Sequence, residues 1–224
     1  MKNRVAKNEP KAVIFDLDGV LVDTGHFHKQ SWYDLAAREG WEYSDQQFYD
    51  TFGMTNAEII PRLSDRSLSV DEIVEMSEWK EHRYRELIAG QLTFLDGVSE
   101  LIEDLKADGW LLAVGTSTPR INLEFMLDAT ESHALFDATV TSEDVRRSKP
   151  APDTFLTAAE RLSVSADRCV VVEDAIPGVR AARTAGMCVI AVTTTRRRQE
   201  LTEAHRVVDG LAELTAADFD ALLR

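Results

Sequence analysis

The sequence predicts an α/β fold: a Rossmann-like, mostly parallel sheet core with an α-helical cap domain inserted after its first strand. Three observations carry this. Short apolar runs alternate with helical patterns from residue 98 onward. The stretch from about 24 to 92 breaks that rhythm, with helical patterns and no clear strand. Residues 13–19, Val-Ile-Phe-Asp-Leu-Asp-Gly, read as a buried strand ending in two carboxylates and a turn. Strand–helix alternation implies right-handed crossovers and a parallel sheet covered on both faces.

The first strand is expected over 11–16. Helical patterns follow over 25–40, 44–51, 55–63 and 70–90, and Leu95-Asp96-Gly97 marks the return to alternation. Helices over 98–108, 119–129, 153–163 and 176–185 then separate strands over 110–116, 137–141, 168–173 and 187–193, with a weaker strand at 206–208. Gly109, Gly186 and Gly210 punctuate the junctions as helix stops or turns. The expected division is a core of 1–23 and 93–224 and a helical cap of 24–92, with residues 1–10 a loose tail.

At 224 residues the chain is long enough for one sizeable core with a small insertion. Its 39 acidic and 25 basic side chains give a formal net charge of −14. That sign disfavours nucleic acid or an anionic membrane as partner, though local cations leave room for a small anionic substrate. Residues 1–10 hold no apolar stretch of a secretory signal, and no segment approaches the roughly 18 apolar residues of a membrane span. A cytoplasmic monomer or weak dimer is the expectation. Cys169 and Cys188 sit in apolar strand-like runs and read as buried free thiols.

The chemistry is concentrated where strands end. On an extended strand alternate side chains share a face, so Asp16 and Asp18 can converge at the end of the first strand, and Gly19 allows a sharp turn. Open parallel sheets bind ligands at that end. The second strand ends in Gly115-Thr116-Ser117-Thr118, hydroxyls and N–H groups that can cradle a phosphate or merely cap a helix. Beyond the third strand lies Ser148-Lys149-Pro150-Ala151-Pro152-Asp153, whose Lys149 is either a charge neutraliser or a solvated lysine. The fourth strand runs into Glu173-Asp174, an acidic pair fit for a helix cap or, with the first strand, a hard-cation site. Gly178 would relieve crowding beside it.

Taken together, Asp-x-Asp-Gly, Thr/Ser, Lys-Pro and Glu-Asp in this order resemble the haloacid dehalogenase-like superfamily over about residues 11–210. The segments Phe15-Asp16-Leu17-Asp18-Gly19-Val20-Leu21-Val22-Asp23-Thr24 and Ser148 to Asp153 are similar to its β-phosphoglucomutase-like members. The resemblance implies that Asp16 is a phosphoryl-accepting nucleophile and Asp18 the acid/base. Thr116, with Gly19 and Ser117 nearby, would hold the phosphoryl group, and Lys149 would stabilise Asp16. Mg2+ would be bound by Asp16, the Asp18 carbonyl and Asp174, with Glu173 contributing directly or through water. Asp18 also separates branches, since the dehalogenases lack an aspartate there and the ion pumps carry threonine.

In the cap, His28 and Lys80 align with substrate- or proton-gating positions of the mutase, and Trp32 with a residue near that interface. Two departures weaken a mutase assignment: Asn56 stands at the mutase's phosphate-binding arginine, and Pro119 at a lysine. Asn lacks the charge for a bidentate phosphate clamp; Arg62, Arg83 or Arg120 are the candidate substitutes. The expected function is a Mg2+-dependent phosphatase of a small phosphorylated metabolite acting through an aspartyl-phosphate. The alternatives are a β-phosphoglucomutase-like phosphomutase and, distantly, a non-catalytic receiver-like module. Elsewhere, Thr193 to Arg198 is expected to open a solvated helix, Trp110 to be core, and His82, His133 and His205 to be surface or capping residues.

Overall fold

A computed structural model describes residues 9–52 and 54–223. Most of the expected 1–10 tail, and Gly53, therefore lie outside the described residues. Six parallel strands form one sheet in the order β3-β2-β1-β4-β5-β6. They are β1 (Ala12–Phe15), β2 (Leu111–Gly115), β3 (Ala138–Val140), β4 (Cys169–Glu173), β5 (Cys188–Val192) and β6 (Arg206–Val208). The order reverses direction at β1, so the crevice beyond the C-terminal ends of β2, β1 and β4 is the position where such sheets take ligands.

The strands are buried on both faces, which is why they read as unbroken apolar runs rather than alternating ones. Val13 and Phe15 point into a core with helices α5 (Val98–Ala107), α6 (Arg120–Ala129) and α9 (Ala216–Leu222). Ala12 and Ile14 point the other way, against α7 (Asp153–Leu162) and α8 (Ile176–Thr184). Helix α9 was not expected. Where a helix was expected over 193–198, the chain instead makes a turn and then a short 3-10 segment, Arg198–Glu200.

Between β1 and α5 the chain builds α1 (Gly25–Glu39), α2 (Asp45–Thr51), α3 (Asn56–Leu63) and α4 (Val70–Ile88) around their own apolar cluster of Trp32, Leu35, Phe48, Ile59, Ile60 and Met76. Ser44 and Ser69 open α2 and α4 with capping boxes to Gln47 and Glu72. Helix α4 buries Met76, Lys80, Glu81, Tyr84 and Ile88. Two of those five are charged, and that is the first sign that this helix serves more than packing. No described helix is long and apolar enough to cross a membrane. Cys169 and Cys188 are free thiols, and burial pushes the Cys169 thiol up to about 12.

Candidate active site

Three neighbouring strands deliver the reactive groups. Asp16 directly follows β1, its N–H continuing the ladder to the Val172 carbonyl at 2.9 Å. Thr116 directly follows β2, bonded likewise to Val140 at 2.9 Å, and Glu173 ends β4. The loop before α7 then brings Lys149 underneath them. Its Nζ donates to Asp16 Oδ1 at 2.6 Å, Glu173 Oε1 at 2.8 Å and the Gly115 carbonyl at 3.1 Å. All three N–H bonds of the ammonium are used, so the lysine is fixed in space as well as neutralising.

Asp174, the residue after β4, is fully buried. Its Oδ2 accepts from Thr195 Oγ1 at 2.6 Å, while Oδ1 has no partner among the described residues. Oxygens of Asp16, Glu173 and Asp174 lie within 4.8 Å of one another. Three buried carboxylates thus face a single lysine. Burial raises the Asp16 carboxyl to about 7, and Glu173 and Asp18 add to this against the pull of Lys149. Asp174 is pushed far above its ordinary value, first by burial and then by Glu173 and Asp16. Surplus negative charge, hard oxygens and an orphaned Asp174 oxygen fit a divalent cation.

Glu173 is the least available of the three. Its Oε2 accepts the backbone N–H groups of Asp174 and Ala175, both at 2.8 Å, and Oε1 is taken by Lys149. This tucked pose depends on Gly178, where a Cβ would stand 1.6 Å from Oε1. Gly19 is equally constrained: at φ +79° an added Cβ would lie 2.1 Å from Asp174 Oδ2.

Asp18 has a different environment. Oδ1 accepts from Thr24 Oγ1 at 2.5 Å and His28 Nε2 at 3.2 Å, and Oδ2 from Thr118 Oγ1 at 2.7 Å. Burial alone would raise its pKa, but His28 and the two hydroxyls outweigh it and hold the carboxyl well below its usual range. Lys80 Nζ lies 2.9 Å from His28 Nδ1. With a donor on one side and a carboxylate on the other, His28 is assigned the neutral tautomer carrying its proton on Nε2. Tyr84 stacks on the imidazole at 4.0 Å between centroids.

These groups open into a cavity of about 840 Å³ whose walls come from both the sheet ends and the helical insertion. Asp16, Asp18, Thr116, Ser117, Lys149, Glu173 and Asp174 line it, as do His28, Asn56 and Lys80 from the insertion. The Ser117 hydroxyl is buried and without a partner among the described residues. Trp32, expected near that interface, is a lining residue and part of the insertion's core. Arg120 does not belong here. It ion-pairs with Asp144 at 2.6 Å and lies outside the lining, drawn away because Asp144 also caps the turn at Thr141. Arg62 and Arg83 are likewise elsewhere, on the Met54 sulphur and on Asp34.

The sequence missed Thr24, Glu81 and Thr195 as site residues, and offered Thr118 only as part of a phosphate cradle or helix cap, not as a donor to Asp18. Thr195 falls in the segment read as a solvated helix, and its one signal was its place just past β5, the strand beside β4. Glu81 was hidden by its ordinary appearance on a charged helix.

Residues 13–192 match the family described as haloacid dehalogenase-like hydrolase. A validoxylamine A 7'-phosphate phosphatase from Streptomyces hygroscopicus subsp. limoneus is 32% identical, over 91% of this chain and 95% of the relative. A β-phosphoglucomutase structure from Clostridium difficile superposes with a TM-score of 0.88 at 27% identity, covering 96% of this chain and 97% of that one. The CbbY protein of Rhodobacter sphaeroides, solved as a point mutant in complex with xylulose-(1,5)bisphosphate, gives 0.82 at 27% identity, over 92% and 96% of the two chains. The chain belongs to the haloacid dehalogenase-like hydrolase family, in its β-phosphoglucomutase-like branch.

Proposed function

We propose that this chain, as a haloacid dehalogenase-like hydrolase, is a Mg2+-dependent phosphatase of a small phosphorylated metabolite that works through an aspartyl-phosphate on Asp16. One observation carries the reading. Asp16 stands at the cavity wall with Oδ1 held by Lys149, while Oδ2 accepts no hydrogen bond from the described residues. That is the arrangement of a carboxylate nucleophile whose repulsion from a phosphate has been offset.

In the first step an Asp16 oxygen bonds to phosphorus and the ester P–O bond breaks, the leaving oxygen taking a proton from the Asp18 carboxyl, which is the acid of this step. Thr116 and Ser117 line the same cavity and would bond the phosphoryl oxygens. Lys149 keeps Asp16 aimed and balances the charge that grows between them. In the second step water displaces the aspartyl oxygen and Asp18 takes its proton. The donors around Asp18 keep it ionised, which suits this step directly. A Mg2+ ion held by Asp16, Asp174 and the Asp18 carbonyl, with Glu173 acting through water, would stabilise the negative charge on the transferring group. The helical insertion would serve as the cap that excludes water from this chemistry.

The test is hydrolysis of p-nitrophenyl phosphate with Mg2+. Asp16→Asn is expected to lower kcat/KM by about a thousandfold or more, and hydrolysis surviving that change would sink the assignment. A phosphomutase is the second reading, favoured by the His28–Lys80 contact reaching Asp18. Incubation with β-glucose 1-phosphate and a bisphosphate primer separates the two: glucose 6-phosphate means mutase, free phosphate means phosphatase.

A further inference from the structure

At the end of the cavity formed by the insertion stands a buried acid. Glu81, on α4, is 5% exposed and lines the cavity. Its Oε1 accepts from Lys80 Nζ at 2.9 Å and from Asn56 Nδ2 at 2.6 Å, and Oε2 accepts from Asn122 Nδ2. We propose that Glu81, with Asn56, sets the substrate class of this enzyme: phosphomonoesters whose remainder carries hydroxyls but no second phosphate. The inference rests on the phosphatase reading above and deepens it.

The argument is one of donor and acceptor bookkeeping. A carboxylate can only accept, so both asparagines must turn their NH2 groups toward Glu81 and their carbonyls away. The Asn122 carbonyl is consumed by Arg85 Nη1 at 2.6 Å. Asn56 is only partly buried and lines the cavity, so its carbonyl is left as an acceptor for a ligand. A carbonyl oxygen backed by a carboxylate welcomes a hydroxyl and repels a phosphate.

No cation in the lining reverses this. Lys80 is 2% exposed and spends its charge on Glu81 while also bonding His28. Burial would neutralise Glu81, but the Lys80 charge and the hydrogen bonds from Lys80 and Asn56 outweigh it and keep the acid ionised. Arg146 and Arg147 line the rim, exposed, where water screens them, and Arg147 is tied to Asp153 at 2.6 Å. Trp32, Phe48, Phe52 and Met54 complete that end with apolar surface suited to the carbon face of a sugar.

Matched pairs test the proposal: fructose 1-phosphate against fructose 1,6-bisphosphate, and glucose 6-phosphate against glucose 1,6-bisphosphate. For the wild type with Mg2+, at least one monophosphate is expected to exceed its bisphosphate in kcat/KM by about tenfold or more. Glu81→Gln, and the double variant Asn56→Arg with Glu81→Gln, should move that ratio toward the bisphosphate by about tenfold to a hundredfold. Asn56→Arg alone keeps the question open to measurement if loss of Glu81 prevents folding. Equal or better use of both bisphosphates by the wild type overturns the proposal, as does an unchanged ratio in every folded variant. Calorimetric binding of the same pairs to the Asp16→Asn protein reads selectivity without turnover. An enzyme inactive on p-nitrophenyl phosphate and all four esters therefore sinks the phosphatase reading, while the binding ratio still decides this one. Tighter binding of both bisphosphates, or no binding of any member, overturns it.

Discussion

The sheet ends and the helical insertion treat charge in opposite ways, although they face each other across one cavity. At the sheet ends, two of three buried carboxylates pair with Lys149, and one oxygen of the third, Asp174, has no partner among the described residues. In the insertion, Glu81 and Lys80 balance each other, and both oxygens of Glu81 are satisfied. A surplus of negative charge is unstable on its own and creates affinity for what would cancel it, here a divalent cation. A closed network offers no such affinity, and instead filters by shape and by the few acceptors it leaves open. Under the function proposed above, the first region would set the reaction and the second the choice of ester.

Removing each region's lysine should separate these roles most sharply. Lys149→Ala is expected to cost about a thousandfold or more in kcat, because Asp16 and Glu173 would then face the phosphate uncompensated. Lys80→Ala should cost no more than about a hundredfold and act mainly on KM. Steady-state kinetics on one ester checks both, and equal losses in kcat would erase the distinction drawn here.

The closed network should show itself in stability rather than rate. Asn122 is fully buried, on α6 of the core, and joins Glu81 and Arg85 of α4. Asn122→Ala would leave a buried carboxylate oxygen and an arginine unpaired, a cost of about 1–3 kcal/mol. Urea denaturation measures it; a shift within error would mean the insertion is not held to the core through this contact.

For the open region, Thr195→Val removes the one side-chain donor to Asp174 among the described residues. Groups that orient a metal's ligands typically matter by tenfold or more in affinity. The Mg2+ concentration for half-maximal activity should therefore rise by about tenfold, with most of the lost rate recovered at high Mg2+. A half-saturation that does not move would show that Asp174 needs no orienting.

How much of this was legible in the sequence follows the same division. The strand ends could be read because β1, β2 and β4 are buried on both faces, so any polar residue at their tips stands out against an apolar run. Asp16, Asp18, Thr116, Glu173 and Asp174 were found that way, Lys149 through the Lys-Pro segment beyond the third strand, and the structure brings them together. The insertion gave no such contrast. On α4 charged residues are the rule, and Lys80 looks solvated until one notices that it shares the buried stripe of Met76, Tyr84 and Ile88. Arg120 erred in the other direction. Its charge suggested a phosphate clamp, and only the fold reveals Asp144 as the stronger local claim.

Asp144 also supplies the smallest effect, one that tests whether charge balance outside the cavity behaves conventionally. It accepts from Arg161 Nη2 at 2.6 Å, Arg120 Nη2 at 2.6 Å and the Thr141 N–H at 2.8 Å. Its partial burial would raise the pKa, but Arg161 and Thr141 more than offset it, so the folded value lies below the unfolded one. A depressed carboxyl stabilises the fold above the unfolded pKa, near 4, and that contribution fades as the pH falls toward the folded value. Asp144→Asn should therefore lower the urea midpoint at pH 7, and its difference from the wild type should shrink at pH 3. A constant difference across that range would assign the effect to hydrogen-bond geometry rather than charge.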